Sequence, residues 1–145
     1  MATARSSTLY SNYDVSKYPP DARDRHGRVV PVYFEITVVS TSAASDTYNL
    51  FVLPKGWSVI GLFCTTNGLG ASAGTGTTAQ IGDSGDDDRY MAASDFDLTN
   101  AQGSLRYEAV GYRPTSDTIV VAKAGSTAWV VGKLVKGHFL LVPPS

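Results

Sequence analysis

Between residues 81 and 90 the chain reads Ile-Gly-Asp-Ser-Gly-Asp-Asp-Asp-Arg-Tyr, its densest run of groups that could do chemistry. Gly82-Asp83-Ser84-Gly85 could present Ser84 as a nucleophile. Such a serine needs a base within hydrogen-bond reach and a third group to orient that base. The two histidines, His26 and His138, lie in a polar leader and in the last apolar run, and neither has a local context that marks a base. Asp83, Asp86, Asp87 and Asp88 could instead offer hard oxygen ligands to calcium. Their spacing lacks the D-x-[DN]-x-[DN]-G pattern with its closing Glu. A third reading is a strand-to-strand turn. Gly82 and Gly85 supply backbone freedom, Asp83 and Ser84 can hydrogen-bond their own backbone, and Arg89 can close the loop on Asp83 or Asp86. The turn reading is preferred, with the charge serving stability or contact with a basic partner. No catalytic residue, cofactor or required metal is expected.

Such a turn has to hang between ordered elements, and the surrounding pattern is that of strands. Val30, Val32, Phe34, Ile36 and Val38 alternate with less apolar residues, the period of a half-buried strand. Pro31 cannot donate to a ladder and places this strand at an edge. "TYNLFVL" and "WSVIGLFC" follow around the turn Pro54-Lys55-Gly56, the second apolar on both faces and so expected deep between layers or at a subunit contact. "TTNGLGASAGTG" reads as a long flexible connection before "TTAQIG". After the acidic turn, residues 89–92 can pair briefly, "DFDLTNAQG" reads as a polar loop, and Leu105, Tyr107 and Ala109 alternate as a further strand. "TIVVAKA" and "AWVVGKLVKGHFLLV" complete the set, with Gly132 and Gly137 as bulges in one long strand or as a hairpin turn. No segment carries a helical stripe. About eight short strands predict an all-β, antiparallel sandwich, jelly-roll-like, over residues 29–145. Residues 1–28 are polar and aperiodic, and read as an extended N-terminal arm.

Bulk properties narrow the function further. A chain of 145 residues is one domain's worth. The net charge of −1 argues against direct nucleic-acid binding. That charge is unevenly spread, with residues 1–28 at +2 and residues 81–97 at −5, which suits neighbours that meet charge to charge. Cys64 is the only cysteine, so no intrachain disulfide can form, in keeping with synthesis in a reducing cytosol. The N-terminus does not read as a signal peptide. No apolar run approaches the roughly 20 residues that span a membrane.

"LPKGWSVIGLFCTTNG", followed by a Gly/Ala/Ser-rich loop and "TTAQIGDSGDDDRYM", resembles small virion proteins of tailed bacteriophages. The resemblance covers about residues 48–91, and "GYRPTSDTIVV" fits it more loosely. Such chains are similar to capsid decoration, or cement, proteins. The resemblance implies a jelly-roll sandwich, often a homotrimer, bound outside the junctions of the major capsid protein on the virion surface and made in the bacterial host cytoplasm. Tyr10, Tyr13, Tyr18, Arg23, Arg25 and Arg28 in the arm are candidates for reaching a neighbouring capsid subunit. Trp57, Phe63, Trp129 and Phe139, in the two most apolar strands, are candidates for the contact between copies. The alternative is a tail or fibre protein that binds carbohydrate, for which Tyr107 and Tyr112 are candidate stacking residues. Trp57 and Trp129 could also stack on a sugar, though their apolar context favours packing.

Overall fold

The computed structural model describes residues 29–39, 43–71 and 74–144. β1 (Val30–Thr37) follows its alternation strictly, burying Val30, Val32, Phe34 and Ile36 and exposing the residues between. It is joined by β2 (Thr47–Leu53), β3 (Ser58–Asn67), β4 (Thr78–Gly82), β5 (Met91–Asp95), β6 (Thr99–Ser104), β7 (Thr118–Ala124) and β8 (Leu134–Val142). The strands form two four-stranded sheets, β1-β8-β3-β6 and β2-β7-β4-β5. Every pairing is antiparallel. First pairs with last, second with seventh, third with sixth and fourth with fifth, so the fold is a jelly-roll-like β-sandwich.

This winding sorts the connections to two ends. At one end the β3–β4, β5–β6 and β7–β8 connections bond to each other, through Leu69 N–H to Phe96 O (2.8 Å) and Val130 N–H to Leu69 O (2.9 Å). The acidic turn lies at the other end, where Arg106 N–H donates to Tyr90 O (2.8 Å) and Gly56 N–H to Pro114 O (2.9 Å).

Between the sheets the core is aromatic at its centre. Phe139 is fully buried, with ring centroids of Phe51, Phe34 and Tyr90 at 4.8, 5.6 and 6.4 Å. Trp129 stacks on Tyr48 at 5.0 Å, and its indole N–H donates to Thr78 O at 2.9 Å. The polar edge of Trp129 is thereby satisfied while its rings fill the interior.

Four expectations need correction. The double-sided apolar pattern of "WSVIGLFC" does not bury both faces of β3. The register slips between Val59 and Gly61, placing two residues against one on β8. That bulge resets the alternation, so Val59, Leu62 and Cys64 point inward while Ile60 and Phe63 stay exposed.

"TNAQGS" is a strand, not a loop. As β6 it pairs only with β3 at the sheet edge. Its outer face is wet and its inner face carries only Ala101 and Gly103, so no apolar alternation marks it. The alternation at Leu105, Tyr107 and Ala109 is not a strand. Ala109 N–H bonds to Arg106 O (3.2 Å) and Tyr112 N–H to Ala109 O (3.1 Å), winding Tyr107–Ala109 into a single 3-10 turn.

The terminal run holds one strand, preceded by a turn. Gly132 takes φ of 85° there, a region open to glycine. Gly137 is not a bulge but sits in regular register opposite Phe34 and Cys64.

Candidate functional site

The acidic turn joins β4 to β5 and is organised around Asp83. Gly82 ends β4, and a Cβ there would collide with the backbone of Asp86 and Asp87, so the loop folds tightly over a residue without a side chain. This brings Asp83 N–H to Asp86 O (2.9 Å). The carboxylate of Asp83, 3% exposed, accepts from Gly85 N–H (2.9 Å), Asp86 N–H (3.1 Å), Arg89 Nε (2.8 Å) and the Tyr90 hydroxyl (3.2 Å). Arg89 therefore closes the loop on Asp83, not Asp86. Its guanidinium also lies 3.9 Å above the Tyr112 ring, stitching the β6–β7 connection to the turn. Burial, then the neighbouring Asp83 charge, pushes the Tyr90 hydroxyl above its ordinary range and keeps it a donor.

The other three aspartates face outward. Asp86, Asp87 and Asp88 bring carboxylate oxygens within 4.8 Å of one another. Two of them have protein cations as partners, Asp87 with Lys123 at 2.6 Å and Asp88 with Arg106 at 2.9 Å. A hydrogen bond between the Asp86 and Asp88 carboxyls lowers the pKa of the first and raises that of the second. Lysine and arginine thus supply countercharge that a calcium ion would otherwise bring. Ser84 is exposed in this turn, whereas His138 lies on the outer face of the other sheet, so no serine–histidine pair forms between them. Among the described residues, every buried side-chain nitrogen or oxygen has a hydrogen-bond partner.

A second carboxylate hub, missed from the sequence, locks the opposite end. Asp97 accepts from the Thr75 hydroxyl, Thr77 N–H (2.9 Å) and Gly76 N–H (3.1 Å). These bonds, the one from Thr75 foremost, hold its pKa at about 2. The Gly/Ala/Ser-rich connection is therefore pinned at residues 75–77. The only hint was Asp97 closing an acidic run, and its partner threonines lie twenty and more positions earlier.

The four residues proposed for contact between copies separate. Trp57, Trp129 and Phe139 are buried within the chain's own sandwich, at 7%, 2% and 0% exposure, while Phe63 is open at 38%. Tyr10, Tyr13, Tyr18, Arg23, Arg25 and Arg28 lie outside the described residues. Tyr107 is 89% exposed, but Tyr112 is covered by Arg89, so the two do not make an open stacking pair.

Cross-strand register assembles a different aromatic group, on the outer face of the β1-β8-β3-β6 sheet. Tyr33 faces His138 on β8, which faces Phe63 on β3. Ring centroids are 6.0 Å apart for Tyr33–His138 and 5.9 Å for Phe63–His138. These rings, with Glu35, Thr65 and Lys136, line an open depression of about 440 Å³.

No protein-family model matches the sequence, and no curated protein matches it. Solved structures do resemble the fold. A chain in the capsid of Ralstonia phage GP4 superposes with a TM-score of 0.75 at 18% identity, covering 99% of each chain. A chain in the cyanophage Pam1 capsid asymmetric unit gives 0.69 at 21% identity, over 81% of this chain and 86% of that one. A chain in the acidic stable capsid structure of Helicobacter pylori bacteriophage KHP30 gives 0.62 at 20% identity, over 83% and 91%. At these identities the likeness establishes a shared fold, in each case with a chain found in a phage capsid.

Proposed function

We propose that the chain is a head decoration, or cement, protein of a tailed bacteriophage. In this reading it binds the outside of the major capsid protein lattice as a homotrimer, helps a DNA-filled shell resist internal pressure, and catalyses nothing. The observation that carries the reading is the end-to-end match, 99% of both chains, to a chain of the Ralstonia phage GP4 capsid. The motifs at residues 48–91 point the same way, and Asp83 and Arg89 of the acidic turn are spent on closing the fold.

The mechanism is adhesion. A trimer presents each weak contact three times, and tethered contacts rebind before the others let go, so modest affinities add to a firm attachment. The arm at 1–28, with Tyr10, Tyr13 and its arginines, supplies reach to a neighbouring subunit. Synthesis in the host cytoplasm and residence on the capsid surface follow from this role.

The test is cryo-electron microscopy of purified DNA-filled heads, with quantification of this chain against the capsid subunit. A copy number comparable to that of the capsid subunit, with density outside the shell, is expected. Recovery only with tails, at a copy number far below the subunit's, overturns the proposal in favour of a tail or fibre role. Sedimentation equilibrium of the free protein tests the trimer.

A further inference from the structure

Three rings stand on the outer face of the β1-β8-β3-β6 sheet, whereas the strands of the other sheet turn none outward. Tyr33 and Phe63 are open to solvent, with His138 between them. The depression they line does not end at the next row. Thr65 and Lys136, paired across β3 and β8, also border a second recess of about 230 Å³. Its other walls are Thr66, Asn67, Thr99, Asn100 and Leu134. The two hollows form one groove that runs from the rings toward the start of β6.

One end of this groove is aromatic and the other holds donors and acceptors. Asn67 gives its side-chain carbonyl to Leu134 N–H (2.7 Å) and keeps both amide hydrogens. Among the described residues, the side chains of Glu35, Thr65, Asn100 and Lys136 have no hydrogen-bond or ion-pair partner. That combination suits a saccharide. A pyranose ring has an apolar face of C–H groups, which stacks on an aromatic ring, and a rim of hydroxyls that both donate and accept. Small-ligand sites pair an aromatic wall with a few placed polar groups in hollows of roughly 300–1,000 Å³. The ring end alone is about 440 Å³. A second copy fits less well, because matched faces set hollow against hollow and the cores of protein contacts are depleted of Lys and Glu. The net charge of −1, with Glu35 on the margin, disfavours a nucleic acid.

We propose that this groove binds a short oligosaccharide. A sugar face stacks on Tyr33 and Phe63, while Thr65, Asn67, Asn100 and Lys136 hydrogen-bond the hydroxyls of the next unit. The site is separate from Tyr107 and Tyr112. It does not rest on the capsid reading, since sugar binding is compatible with a place on heads or on tails, and copy number decides between those.

The experiment applies the tagged full chain to a glycan array spanning neutral, amino and acidic saccharides, then titrates the strongest binder into ¹⁵N-labelled protein. Saturable binding is expected, with amide shifts at Tyr33, Phe63, Thr65, Asn100 and His138. Val52, Ile119 and Lys123, on the other sheet, should not shift. Tyr33→Ala with Phe63→Ala should weaken binding by about tenfold or more, and Thr65→Val with Lys136→Ala by a similar factor. Circular dichroism should show both double variants folded, since all four residues lie on the surface of the sheet. Tyr107→Ala, which removes an exposed ring at the acidic-turn end, should leave affinity unchanged. No binding anywhere on the array overturns the proposal, as does binding that survives both double variants or that shifts the other sheet. Self-association that Tyr33→Ala and Phe63→Ala abolish, in a protein that binds no sugar, overturns it in favour of a second copy.

Discussion

Replacing Asp83 with alanine removes one carboxylate and strands four donors at once. The Tyr90 hydroxyl is the costliest of them, because its ring is fully buried and water cannot replace the lost acceptor. An orphaned buried donor costs about 1–3 kcal/mol. Arg89 loses its ion pair, but its side chain is 21% exposed and can turn to solvent. Its share is then about 1–2 kcal/mol, well below the roughly 3–5 kcal/mol of a wholly buried pair. With the two turn amides rehydrated, the total comes to about 3–5 kcal/mol, a large part of a typical domain's stability. For a domain of this size the melting temperature should fall by roughly 10–20 °C. Urea unfolding followed by circular dichroism measures the loss. Adding Tyr90→Phe removes the stranded hydroxyl and should recover about 1 kcal/mol. A loss below about 1 kcal/mol in the single variant, or no recovery in the double, refutes the view that Asp83 holds this end together.

Phe139→Ala should cost about 3–5 kcal/mol in the same assay, since it empties the meeting point of Phe34, Phe51 and Tyr90. Lys123→Ala should cost less than about 1 kcal/mol despite its 2.6 Å ion pair, because Asp87 is exposed and Lys123 is itself partly open to solvent. Tyr90 gives an alkaline dependence. Its hydroxyl titrates above the ordinary 10.0 in the fold, so its contribution is full below about pH 10 and falls as the pH rises past it. Tyr90→Phe should flatten the denaturation midpoint across that window. Asp97 gives the acid counterpart. Its carboxyl sits at about 2 against an ordinary 3.8, so its contribution is complete above 3.8 and is lost as the pH drops toward 2. Asp97→Asn should be less stable at neutral pH and show a shallower fall in that acid range.

What could be read from the sequence was whatever is local. β1, β2, β4 and β7 announce themselves by alternation or by apolar runs between turn residues, and the turn at 82–90 by its glycines and aspartates. β6 escaped because an edge strand whose inner face carries only Ala101 and Gly103 shows no apolar pattern. The 3-10 turn at Tyr107–Ala109 misled because three alternating residues fit either winding. At the sites, Arg89 closing on an aspartate is a contact six residues apart and so was legible. The Thr75–Asp97 bond and the Tyr33–His138–Phe63 row join residues that only strand pairing brings together. The bulge at Val59–Gly61 had the same effect on a smaller scale. One inserted residue decides which half of an apolar run meets water, and composition is blind to it.

The pairing of β1 with β8 constrains how the molecule is born. β8 lies between β1 and β3, so the first sheet lacks an inner member until residues 134–142 have left the ribosome. Until then β1 and β3 would present bare ladder edges and the greasy side of half a sandwich, a state prone to wrong partners. Closure waits for residues 134–142 to emerge, and because its decisive contacts join β1 to β8, far apart in the sequence, it should be slow.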